Sequence, residues 1–178
     1  MPACVSSGVT VNTMNEDLTK IVEWAFWANL ESESNVELIL LKGHLFMEVL
    51  LNYVLAENGL KTHTNYSFYR KVHSLLLVPD GQTVTPNRIA PYLFRLNNLR
   101  NNLAHDFSYD ITNGDIEKWS LDVLAQFDVV KNTRYTFRTR IVHAFAALAR
   151  ALGEIRIDSN IRLEDTNDSQ LKPSELRL

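Results

Sequence analysis

Residues 85–107 read TPNRIAPYLFRLNNLRNNLAHDF and contain the clearest pattern in the chain. At about 100° per residue, apolar side chains spaced three and four apart form one stripe along a helix. Thr85 followed by Pro86 predicts where this helix begins, because proline suits the first helical position. The stripe predicted to face a core consists of Ile89, Tyr92, Leu96, Leu99, Leu103 and Phe107.

The opposite side of this helix is rich in amides. It gathers Asn97, Asn98, Asn101, Asn102 and His105, with Arg100 at one margin. A solvated helix face is the simplest interpretation, but such faces are usually built from Lys, Glu, Gln or Arg, whereas asparagine is a poor helix former. The composition therefore favours a surface selected for hydrogen bonding.

Helical patterns also dominate the rest of the chain. Ser34 is predicted to cap a long helix that is apolar nearly all round, is buried at the centre of the fold and stops at Asn58-Gly59. Strand signals are almost absent, so we expect an all-α fold, a single compact bundle of about five or six helices. The other predicted helices cover residues up to 30, 66–78, 116–130 and 133–155.

Length and composition indicate one domain. The 178 residues are 46% hydrophobic, enough for one full core and short for two. We expect a flexible leader at 1–13, a helical domain at 14–157 and a polar tail at 158–178. The net charge of −3 excludes nucleic-acid binding through bulk charge and leaves a local patch as the alternative. A single cysteine and the lack of a secretory or membrane-spanning pattern favour a soluble, cytoplasmic protein.

Two further groups of residues are candidates for function. On the long apolar helix, His44 and Glu48 share a narrow polar stripe with Glu37 and Asn52, which either faces a functional cleft or forms a network between helices. His44 and Glu48 have a spacing compatible with metal binding, but two ligands are weak evidence. We therefore predict no metal and no cofactor.

The most basic stretch lies between 131 and 140. It interleaves aromatic and basic side chains, a combination that suits an RNA backbone and a stacked base. The alternative is a charged helix start whose apolar residues pack inward. The predicted RNA-binding residues are Lys131, Arg134, Arg138 and Arg140.

The string RNNLAH at 100–105 resembles the motif of the HEPN superfamily, R-x(4–6)-H with a polar residue following the arginine. The resemblance covers this motif closely and the remainder only as a helical bundle of suitable length. It implies a homodimer and, in many members, a metal-independent ribonuclease of toxin–antitoxin or phage-defence systems, with a cognate antitoxin protein as a possible partner. Other members are catalytically silent. Phe107 stands where one branch carries a modifiable tyrosine, so that form of control is not carried over.

Arg100 and His105 are the predicted catalytic pair. Arginine is a permanent cation shaped for phosphate oxygens, and histidine exchanges a proton near neutral pH. Five residues apart, they lie about 140° apart on a helix, so a second copy related by a two-fold axis would help them to converge. The sequence thus predicts an endoribonuclease, with Asn97, Asn98, Asn101, Asn102, Glu48 and His44 in support. The alternative is a non-catalytic module that binds a protein or nucleotide.

Overall fold

A computed structural model describes residues 24–61, 63, 65–79, 84–127 and 135–155. All regular structure in these residues is helical, which confirms the predicted all-α bundle. The predicted leader, the start of the domain and the polar tail lie outside the described residues. The helices are α1 (24–31), α2 (Val36–Glu57), α3 (Phe68–Leu75), α4 (Pro86–His105), α5 (Asp115–Phe127) and α6 (Phe137–Gly153).

The N-cap of helix α2 lies one residue after the predicted position. Asn35, not Ser34, is the N-cap, and its side-chain oxygen accepts hydrogen bonds from the backbone N–H groups of Glu37 and Leu38. Both residue types are good caps, so the pattern alone could not separate neighbours. The predicted stop is confirmed, because Asn58 caps the helix and Gly59 follows with a φ of 73°, which glycine adopts without strain.

Helix α2 is less buried than its sequence predicted. One face is covered by the bundle, while Leu45 and Val49 on the other face are 61% and 67% exposed. By length and composition α2 could cross a membrane, but half of its most apolar window is buried inside the bundle. Core helices of soluble proteins also pass this test of length and composition, so one such helix is weak evidence for a membrane span.

The bundle closes where α2 meets α6. A Cβ at Gly43 would lie closer than 3.0 Å to the ring of Phe145, so only glycine permits this approach. Helix α5 packs along α6, and Trp119 and Phe145 contact each other with ring centroids 5.0 Å apart. On the other side, α3 and α4 pack against each other and against α2.

Helix α4 largely follows its predicted pattern. Thr85 is the N-cap and Pro86 the first helical residue, and Ile89, Leu96 and Leu99 are buried. The helix ends at His105, and the chain then turns away. As a result, Phe107 is fully exposed and does not extend the apolar stripe, contrary to the prediction.

Candidate functional site

A cleft of about 550 Å³ lies between α2, the start of α3 and the second half of α4. We call it the polar cleft. Pockets that bind small molecules in proteins commonly span about 300–1,000 Å³, so this volume suits a nucleotide-sized ligand. Its lining comprises His44, Glu48, Ser67, Phe68, Tyr69, Asn97, Asn98, Arg100 and Asn101.

Arg100 is the cation of the polar cleft. Its Nη1 donates a hydrogen bond to Oδ1 of the adjacent Asn101 at 3.1 Å. Within the described part of the chain, no carboxylate forms an ion pair with it. Because its bonded partner is a neutral amide, the guanidinium keeps its charge available for an anion.

The carboxylate of the cleft is already neutralised. Lys71 Nζ donates to Glu48 Oε1 at 2.6 Å, and the lysine side chain is only 5% exposed. Lys71 therefore neutralises the carboxylate of Glu48, which lines the same cleft as Arg100. The sequence analysis did not single out Lys71, although one signal was present: it interrupts the apolar face that Phe68, Val72 and Leu75 form on α3.

His44 lies at the wall of this cleft and is 5% exposed. Its ring contacts Phe68 with centroids 4.3 Å apart, and its Nε2 has no hydrogen-bond partner among the described residues. Burial lowers the pKa of His44 below 6.5 and the Arg100 charge lowers it further, while Asn97 and Glu48 oppose the shift. The lowered pKa favours the neutral form of the imidazole.

His105 is not part of this lining. It is the last residue of α4 and is exposed, so within one chain it does not converge with Arg100. Asn102 is also exposed and lies outside the lining. The structure thus brings Arg100 together with five of its predicted supporting residues, namely His44, Glu48, Asn97, Asn98 and Asn101.

In the described part of the predicted basic stretch, both arginines bond to other residues of the chain. Arg138 donates to the backbone carbonyl oxygens of Glu31 and Glu33, the latter at 2.9 Å, and so joins the start of α6 to the loop after α1. Arg140 forms an ion pair with Glu117 on α5. Lys131 and Arg134 lie outside the described residues.

A second depression of about 480 Å³, which we call the arginine groove, lies between α4 and α5. Arg95 Nη1 is 2.7 Å from Asp122 Oδ2, so this cation is paired with a carboxylate. With its amide oxygen turned toward Arg88, Gln126 accepts hydrogen bonds at 2.6 and 3.1 Å from that guanidinium. The arginine groove therefore resembles the polar cleft in volume, but one of its two arginines, Arg95, is paired with a carboxylate.

No family model, curated protein or solved structure matches this chain. Among the residues that the structure describes, no group of three or more His, Cys, Asp or Glu side chains could hold a metal ion.

Proposed function

We propose that this chain is a metal-independent endoribonuclease in which Arg100 binds the scissile phosphate in the polar cleft. The supporting observation is the half-buried guanidinium of Arg100, hydrogen-bonded to an amide and surrounded by further amides. Such a cation stabilises the extra negative charge of a phosphorane-like transition state. The single cysteine suits a reducing compartment, so we place the activity in the cytoplasm.

The reaction that suits these groups is attack of a ribose 2′-oxygen on the adjacent phosphorus. A base removes the 2′-hydroxyl proton, the bond to the 5′-oxygen breaks, and an acid returns a proton to that leaving oxygen. The products are a 2′,3′-cyclic phosphate and a 5′-hydroxyl. We assign His105 to one of these proton transfers.

His105 of one copy cannot serve Arg100 of the same copy in the observed arrangement, so the proposal includes a homodimer. A two-fold axis would bring His105 of one protomer to the cleft of its partner. Exposed apolar side chains at Leu45 and Val49 on α2, and at Phe107 beyond the end of α4, supply surface that a second copy could bury.

The test is cleavage of labelled single-stranded RNA in EDTA, with DNA of the same sequence as a control. We expect RNA alone to be cut and to carry cyclic-phosphate ends. Arg100→Ala and His105→Ala should each lower the rate about 100-fold or more. Arg95→Ala is the matched control, since it removes a paired arginine from the same helix, and it should cut at the wild-type rate.

Mixing the two inactive variants tests the shared site directly. A heterodimer of Arg100→Ala and His105→Ala chains has one site with both residues intact and one with neither. Random reassortment should therefore restore about a quarter of the wild-type activity. If mixing restores nothing while each variant remains dimeric, the two residues act within one chain or not together.

A non-catalytic module that binds a nucleotide or protein is the second candidate. The observation that supports this candidate is the exposed position of His105 outside the polar cleft. On this interpretation Arg100→Ala abolishes RNA binding, while neither wild type nor any variant cuts RNA. Absence of cutting by a folded dimer across varied RNAs would select this candidate.

A further inference from the structure

Three aromatic rings form a cluster at the mouth of the polar cleft. Tyr69 and His73 on α3 have ring centroids 4.6 Å apart, and Phe94 on α4 lies 5.1 Å from Tyr69 and 5.0 Å from His73. Every ring of the cluster therefore contacts the other two. Such contacts join α3 to α4 and fix the orientation of the rings.

The cluster is not closed to solvent. Tyr69 is 52% exposed although it contacts two other rings, and it also belongs to the lining of the polar cleft. An aromatic ring that is held from one side and open on the other is a surface on which a further planar group can stack.

The polar groups of the cleft lie next to this ring. Phe94 is one helical turn before Asn97 and Asn98, and Arg100 follows on the same helix. The site thus combines a free cation, amides and an aromatic surface. A phosphate fits the cation and a nucleobase fits the ring, so one nucleotide satisfies both.

We propose that the Tyr69, His73 and Phe94 cluster binds the base of an unpaired nucleotide whose phosphate is held by Arg100. The proposal deepens the proposed function and rests on it for the role of Arg100. A base inside a double helix is already stacked on both faces, whereas a single strand can turn a base toward an aromatic side chain. The polar cleft therefore selects single strands over duplexes, with little preference among bases.

The experiment measures binding without cleavage. The probe is a short single-stranded oligodeoxythymidine with one central 2-aminopurine, which lacks the 2′-hydroxyl and whose fluorescence is quenched when the base stacks. Wild-type protein should bind and quench it. Tyr69→Ala should bind about 5- to 150-fold more weakly and lose the quenching, because one base stacked on an aromatic ring contributes about 1–3 kcal/mol.

Two variants and a second probe control for indirect effects. Tyr69→Phe keeps the ring and should behave as wild type. Leu121→Ala on α5 removes an apolar side chain that is 48% exposed and outside the cleft, and it should also behave as wild type. An abasic strand of equal length should bind wild type and Tyr69→Ala equally weakly.

The outcomes separate this inference from the nuclease. Quenching that depends on Tyr69, in a protein that does not cut RNA, supports the inference and removes the proposed cleavage. RNA cutting that depends on Arg100, together with unchanged probe binding by Tyr69→Ala, overturns the inference and leaves the nuclease. Failure of wild type to quench the probe, or equal affinity for duplex and single strand, also overturns the inference.

Discussion

Helix α4 contributes arginines to two depressions of similar volume, and within the described ranges only in the arginine groove is one of them paired with a carboxylate. In the polar cleft Arg100 is bonded to the amide of Asn101, while the carboxylate of Glu48 is bonded to Lys71. In the arginine groove Arg95 is bonded directly to Asp122. Among the described residues Arg100 thus has no carboxylate partner, whereas Asp122 neutralises Arg95.

The two arginines show that the partner of a guanidinium, and not only its position on the helix, decides whether its charge can bind an anion. A guanidinium paired with a carboxylate must give up that bond before it can bind a phosphate, whereas an amide gives way more easily because it carries no charge. In the polar cleft the buried Lys71 binds the carboxylate of Glu48, which lines the same cleft as Arg100.

The largest expected effect concerns the two ion pairs. Glu48→Ala leaves the buried cation of Lys71 without its partner and should lower the free energy of unfolding by about 3 kcal/mol or more. Asp122→Ala breaks a pair whose side chains are 39% and 43% exposed and should cost about 1 kcal/mol or less. Urea unfolding of each variant measures both values.

A double variant checks the cause of that loss. Replacing the pair by Glu48→Leu with Lys71→Met removes both charges, so most of the lost stability should return. Equal costs for Glu48→Ala and Asp122→Ala, or no recovery in the double variant, would show that the burial of Lys71 does not distinguish the two sites.

Asn101→Asp would give Arg100 a carboxylate partner like the one that Arg95 has in the arginine groove. Asn101→Asp places a carboxylate 3.1 Å from Arg100 with almost no change of shape. A charge-assisted hydrogen bond contributes about 1.5 kcal/mol or more, so affinity for single-stranded RNA should fall about tenfold. The slope of log affinity against log salt should also fall by about one, because one phosphate contact is lost.

The reverse change is the control. Asp122→Asn frees Arg95 in the arginine groove and should leave RNA affinity within about twofold of wild type. Binding is measured by fluorescence anisotropy over a series of salt concentrations. If Asp122→Asn changes the affinity more than Asn101→Asp does, RNA binds in the arginine groove instead of the polar cleft.

The sequence was informative where local periodicity decides the structure. The stripe of α4 and the stop of α2 at Gly59 follow from spacing and from glycine at a positive φ, both local properties. The exposed face of α2 could not be predicted in this way. A helix that is apolar nearly all round does not specify which side the bundle covers, and only α3, α4 and α6 together decide it.

The polar cleft also combines features that follow from local sequence with features that depend on contacts between helices. His44 and Glu48 were predicted to face either a functional cleft or a network between helices. Both line the polar cleft, and Glu48 also pairs with Lys71 on α3. The contributions of α3 depend on contacts between residues distant in sequence. No local pattern specifies that Tyr69 meets Phe94, or that Lys71 reaches Glu48 across 23 positions.

The smallest expected effect is a pH dependence specific to the polar cleft. The pKa of His44 is lowered in the folded protein, so the unfolded chain binds more protons as the pH falls through 6.5. Stability should therefore decrease as the pH falls through about 6.5, by at most about 1.4 kcal/mol per pH unit. The facing groups are Glu48, Lys71 and Arg100, besides the neutral Asn97.

His44→Gln removes this proton uptake and should flatten the profile in urea unfolding at several pH values. The arginine groove has no histidine in its lining, so Asp122→Asn should retain the wild-type slope. Protonation of His44 would place a second cation beside Arg100 and strengthen its hold on an anion. Acid should therefore destabilise the empty protein more than the protein saturated with the oligodeoxythymidine probe, whereas equal slopes would mean that His44 does not sense the ligand of the cleft.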